Sequence, residues 1–242
     1  MKYSAAFADI FHVGALHKFN GSSGAANTAT QVDIGAEYAG ASVDAYYSKV
    51  NSVISSAPLS AAQVGDLPAA YSVGNSLAGT ISDNTAFALM GLYKLDPVKF
   101  FLSYEHIKFA NPSTPTAAGF SDIGGYILAF VNHDAFANAK IYNVYWAGAR
   151  YTVVPNLDLT AAYYYVHQSA FGSGAAADCF TSKFGTCSGS LEAASFDADY
   201  TVTKRFDVYA GAMYSAVHNG LANGYIFHTT NINPTVGVRF KF

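Results

Sequence analysis

Residues 234–242 read PTVGVRFKF, and the period of that string decides the fold. Pro234, Val236, Val238, Phe240 and Phe242 are apolar, while Thr235, Gly237, Arg239 and Lys241 between them are polar or small. A period of two places the two sets on opposite faces of a strand. Chain termini are ordinarily polar and frayed. Here the last residue is a large aromatic inside the pattern, so this tail is expected to be structured.

The alternation recurs toward the N-terminus. In 206–216, Phe206, Val208, Ala210, Ala212 and Tyr214 oppose Asp207, Tyr209, Gly211, Met213 and Ser215. In 195–202, Phe196, Ala198, Tyr200 and Val202 oppose Ser195, Asp197, Asp199 and Thr201. In 157–168, Leu157, Leu159, Ala161, Tyr163 and Tyr165 oppose Asp158, Thr160, Ala162 and Tyr164. In 140–153, Ile141, Tyr145, Ala147, Ala149 and Tyr151 oppose Lys140, Tyr142, Trp146, Gly148 and Arg150, with Asn143 an exception on the apolar set. The segments 98–108, 84–95, 41–50, 31–38 and 11–19 follow the same rule less cleanly. These make about ten strands of roughly 8–13 residues, the length of a tilted strand that crosses a bilayer.

Composition agrees. Charged residues are 12% and aromatics 15% of the 242 residues, against ~25% charged in an average soluble domain. No apolar run reaches the length of a membrane-spanning helix. A net charge of −3 with no basic stripe argues against nucleic acid as a partner.

Short and long connections also alternate. Tight turns are expected at Ala39-Gly40, Asp96-Pro97, Val154-Pro155-Asn156 and Thr203-Lys204-Arg205. Longer stretches rich in Gly, Ala, Ser, Asn and Pro occupy 20–30, 51–83, 109–139, 169–192 and 216–232. This rhythm, with Tyr38, Tyr93, Tyr151, Phe206 and Phe242 beside the short turns as an interfacial girdle, fits a single-domain transmembrane antiparallel up-and-down β-barrel over 1–242. A soluble β-sandwich or lipocalin-like barrel also alternates and remains open at this point.

The stretches TKRFDVYAGAMYSAVHNGLANGY and NINPTVGVRFKF resemble the last two strands of the Gram-negative general porins, and YNVYWAGARYTVVPNLDLTAAYYYVHQ resembles an earlier hairpin of that family. The resemblance implies a bacterial outer-membrane location and a homotrimer of sixteen-stranded barrels. It implies passive diffusion of ions and small hydrophilic solutes, and outer-membrane lipids as surroundings. It also implies that Phe242 is read by the barrel-assembly machinery. Counted back from Phe242, residues 11–19 would be the seventh strand, and the ten strands would correspond to strands 7–16. MKYSAAFADIFHVGAL, interrupted by Asp9 and His12, makes a poor signal peptide. The expectation is therefore an N-terminally truncated or mis-started porin. A closed ten-stranded barrel would require 11–19 to pair with 233–242. A non-conducting barrel remnant is the alternative.

A porin needs no bond chemistry and no cofactor; selectivity comes from width and from wall charges. The candidate pore-lining residues are Lys99, Glu105, Arg150, Asp158, Asp197, Asp199, Asp207, Arg239 and Lys241, with Asp33, Glu37 and Asp44 adding acid. Lys99, Glu105, Arg150 and Arg239 are expected at mid-wall. Cys179 and Cys187, eight apart in a long loop of an exported chain, are expected to form a disulfide rather than a metal site. Enzymatic readings are thin. His133-Asp134 could supply half of a hydrolytic dyad, but there is no Gly-x-Ser-x-Gly elbow, and GSGAAA at 172–177 lacks the lysine of a phosphate loop.

Overall fold

In the computed structural model, residues 1–19, 28–121, 123–179, 185–223 and 228–241 are described. They form twelve strands: β1 (Lys2–Phe7), β2 (Phe11–Lys18), β3 (Ala29–Tyr38), β4 (Ala41–Ala57), β5 (Ser76–Leu95), β6 (Val98–Ala110), β7 (Ile127–Asn132), β8 (Lys140–Val154), β9 (Leu157–Gln168), β10 (Gly189–Thr203), β11 (Phe206–Asn219) and β12 (Thr230–Phe240). Eleven of them make one meander in sequence order, each antiparallel to the next, and β7 lies off this path, parallel to the first residues of β5. No helix of the described residues is long and apolar enough to cross a membrane.

The ten expected strands are all present, and two are added. β1 occupies residues read as a poor leader. β7 lies inside the third long loop. Three loops shrink, because β4 runs on to Ala57, β5 starts at Ser76, β10 starts at Gly189, β11 runs on to Asn219 and β12 starts at Thr230. The pairing of 11–19 with 233–242 does not occur. β2 is held between β1 and β3, so the open edges of the described sheet are β1 and β12. Pro234 sits on one of those edges, where a missing backbone N–H costs least. Phe242 lies outside the described residues.

Register shows why the chain chooses this sheet. One cross-strand row runs Phe7, Phe11, Ala36, Val43, Gly91, Leu102, Ala147, Tyr163, Ala194, Tyr214, Ile232. It crosses all eleven strands of the meander without a polar side chain other than the tyrosine hydroxyls. Its large members are open to the surroundings: Leu102 is 57% exposed and Ile232 67%. Among the described residues no second layer covers this row. The fully buried apolar residues are few, and the largest, Ile81 and Leu128, lie at the loop end. A soluble sandwich would bury such a row beneath a second layer. A single layer with its apolar face outward is the arrangement of a barrel in lipid.

The short turns at 8–10, 39–40, 96–97, 155–156 and 204–205 all lie at one end of the sheet. From one hairpin to the next they shift by one outward row, so the stagger is about one residue per strand. A rise of ~3.3 Å per residue against a strand spacing of ~4.8 Å gives a tilt of roughly 35°, as a barrel requires. Tyr38, Tyr93 and Tyr151 stand exposed beside these turns, and Phe206 packs against Phe240 with ring centroids 4.9 Å apart. Tyr38, Tyr93, Tyr151 and Phe206 thus take their expected places beside the turns.

Candidate functional site

In the half of the wall nearer the short turns, the charged residues lie on the face opposite the apolar row. Lys94 faces Lys99, which faces Arg150; the row continues through Thr160 and Asp197 to Gly211 and Thr235. One step toward the turns, Asp158 faces Asp199 and then Tyr209. At the edge of the described sheet Asp207 faces Arg239. All nine candidate wall residues thus fall on one face, with Asp33, Asp44 and Glu37 on the same side. The period of two guarantees this once register is fixed.

Most of these charges pair. Arg150 donates to Asp158, which also accepts from the Thr152 hydroxyl at 2.6 Å. Arg239 donates to Asp199, and its Nε lies 3.5 Å from Asp207, which receives Lys241 at 2.7 Å. The Asp207 side chain is almost fully covered by these two cations. Lys99, Glu105 and Asp197 form no ion pair among the described residues.

Height is where expectation and structure part. Lys99, Asp158 and Asp207 are each the second residue of their strand, so Lys99 and, opposite Asp207, Arg239 stand at the turn-end rim rather than mid-wall. The Arg239 side chain is held there by Asp199 and Asp207. Arg150 lies farther in, and Glu105 farther still, on a row with Ala88, Tyr46 and Asp33.

Around the wall the charge changes sign in sectors. Glu37, Asp33 and Asp44 are acidic on β3 and β4; Lys94, Lys99 and Arg150 are basic on β5, β6 and β8, with the acid Glu105 deeper on β6. Asp158, Asp197, Asp199 and Asp207 are acidic on β9 to β11, and Arg239 and Lys241 are basic beyond them. Sequence reasoning missed two members. His12 Nε2 sits 2.9 Å from Asp44, and Lys94 faces Lys99 from beside a turn. The first was hidden in a segment read for export, the second by its neighbour Asp96.

At the loop end, Cys179 and Cys187 are disulfide-bonded with Cα atoms 5.6 Å apart. Gln168, 1% exposed, ties this loop to the wall. Its Nε2 donates to the carbonyls of Gly185 and Cys187 at 3.1 and 3.0 Å, and its Oε1 accepts from the Tyr142 hydroxyl at 2.8 Å. Gln168→Ala removes all three bonds at a buried place and should destabilise the folded protein by about 2–3 kcal/mol. Urea unfolding in vesicles measures this, and a change within experimental error would mean that the loop is held otherwise. Reducing Cys179–Cys187 should cost a similar amount, roughly 2–3 kcal/mol by the loop-closure argument, read from the same transition with and without reductant.

The remaining candidates do not assemble. His133 and Asp134 lie in the long loop, where the Asp134 backbone N–H donates to Asn132. Residues 174–177 form a 3₁₀ turn. Among the described residues no group of His, Cys, Asp and Glu could hold a metal ion.

No protein-family model matches the chain, and no curated protein sequence does. Solved structures do. OmpT, an outer membrane protein of Vibrio cholerae folded in vitro, superposes with a TM-score of 0.63 at 16% identity, over 99% of this chain and 62% of its own. Its trimer form gives 0.60 at 14% identity, over 99% and 63%. The mutant of that protein lacking loop L8 gives 0.60 at 15% identity, over 99% and 61%. The present chain therefore spans just over three fifths of the length of these proteins. At such identity the likeness is one of fold alone: the meander has the fold of the wall of a bacterial outer-membrane β-barrel.

Proposed function

We propose that the chain forms the wall of a water-filled channel in the bacterial outer membrane, through which ions and small hydrophilic solutes diffuse passively. One observation carries this reading. Eleven consecutive strands send every ionisable residue of their turn-proximal half to one face and an unbroken apolar row to the other. Hydrocarbon excludes ions because stripping their water is costly. Acidic and basic sectors along an aqueous wall remove that cost and set a transverse field that selects between ions. The channel performs no bond chemistry.

The edges β1 and β12 carry backbone N–H and C=O groups that hydrocarbon cannot satisfy. A conducting barrel therefore closes by pairing both edges, with each other or with further strands. The sixteen strands implied by the porin resemblance would supply five beyond the eleven of the meander. A homotrimer fits the trimer form of Vibrio cholerae OmpT, and recognition by the barrel-assembly machinery would run through β12 and Phe242.

Full-length protein reconstituted in a planar bilayer should give stepwise, ohmic conductance increments. Insertion without any increment would leave the non-conducting remnant. The same sample assayed for lipase and protease activity addresses the hydrolase reading, which would gain from turnover abolished by His133→Ala.

A further inference from the structure

The outward face is not apolar throughout. One row, away from the short turns, runs His17, Thr30, Lys49, Thr85, Lys108 across β2 to β6. Lys49 and Lys108 are exposed, and neither forms an ion pair among the described residues. They flank Thr85 on either side, which sets their backbones two strand spacings apart, ~10 Å. Lys49 is nine residues beyond Gly40 and Lys108 eleven beyond Pro97. With the tilt above, they stand roughly 25–30 Å from the turn end, just past an apolar band of about 25 Å.

Below them the face is built of donors and rings. The Tyr104 hydroxyl and His106 Nδ1 both reach Asn143 Oδ1 at 2.9 Å. Asn143 Oδ1 is solely an acceptor, so His106 donates from Nδ1. Phe87 stacks on His106 at 5.1 Å. Two acids share the outward parity. Asp83 is engaged by the Ser52 and Ser113 backbone N–H groups at 2.8 and 3.2 Å, and Glu192 lies three strands away from Lys108, on β10.

From this geometry we infer a binding site for the phosphate of an anionic lipid headgroup in the leaflet at the loop end. The acyl chains lie along Val32, Tyr47, Phe87 and Leu89, which are exposed on the same face. The phosphate bridges Lys49 and Lys108. A soluble anion would gain the lysines without the apolar band. A lipid satisfies both, and cations at a membrane surface attract anionic headgroups. The Asn143 exception to the alternation acquires a reason: it holds His106 beside the same headgroup.

The inference rests on the membrane-spanning reading and not on conduction. The test uses full-length protein in phosphatidylcholine nanodiscs containing a minor share of phosphatidylglycerol, with retained phosphatidylglycerol counted by native mass spectrometry. The K49Q/K108Q double variant should retain about tenfold less than wild type, while K204Q, in a turn at the opposite end, should retain as much. Millimolar inorganic phosphate should not displace the lipid. Equal retention by wild type and K49Q/K108Q would overturn the site, as would an equal loss in K204Q. Displacement by phosphate would reassign it to a free anion. Failure to enter nanodiscs at all would sink the membrane reading, a separable result.

Discussion

Leu102→Arg should destabilise the folded protein in bilayers by about 2–4 kcal/mol, the cost of an arginine facing lipid near mid-membrane on a barrel wall. Leu102 lies five residues beyond the Asp96-Pro97 turn, on the all-apolar row, and is 57% exposed with nothing packed on it. The matching change on the other face is Thr160→Arg. Thr160 stands between Arg150 and Asp197, in water by this account, with a carboxylate beside it. That variant should change stability by less than about 1 kcal/mol. Urea titration of both proteins folded into vesicles gives the comparison. Equal costs at the two positions would mean that the two faces meet the same medium.

The second large effect is on ion preference. Arg150 and Arg239 neutralise Asp158, Asp199 and part of Asp207. Replacing both arginines by glutamine leaves those carboxylates exposed to the lumen without their cations. Two charges felt by an ion at ~8 Å through water are worth about 0.5 kcal/mol each, so a cation gains about 1 kcal/mol, an anion loses as much, and cation over anion permeability should rise roughly thirtyfold before screening. Reversal potentials across a potassium chloride gradient report it. The effect should shrink at molar salt, where the screening length falls to about 3 Å. An unchanged reversal potential would remove both residues from the conduction path.

The parts of this fold legible in the sequence are those where alternation is strict. The β8 to β12 wall could be read residue by residue, because large apolar and charged side chains occupy opposite parities. β1 was not read as a strand, although Tyr3, Ala5 and Phe7 alternate with Lys2, Ser4 and Ala6, because a lysine followed by small residues also suits a leader. The first part of β5, SLAGTISD, lies in a long stretch rich in small residues, and its pairing with β4 and β7 is settled by long-range contact. β7 is a short apolar run with no period at all. In the wall, parity located each charge on its face, but which carboxylate each cation reaches depended on the register between strands. That is a cross-strand matter that a single strand does not encode.

The central claim is that the two parities of each strand meet different media. Single cysteines along β6, at Phe100, Phe101, Leu102, Ser103, Tyr104 and Glu105, carry a spin label in vesicles; the native cysteines are already disulfide-bonded. The account predicts collision with lipid-dissolved oxygen at 100, 102 and 104, and with a water-soluble nickel chelate at 101, 103 and 105. Labels at 100, 102 and 104 that meet neither reagent, as inside a packed soluble core, would contradict it.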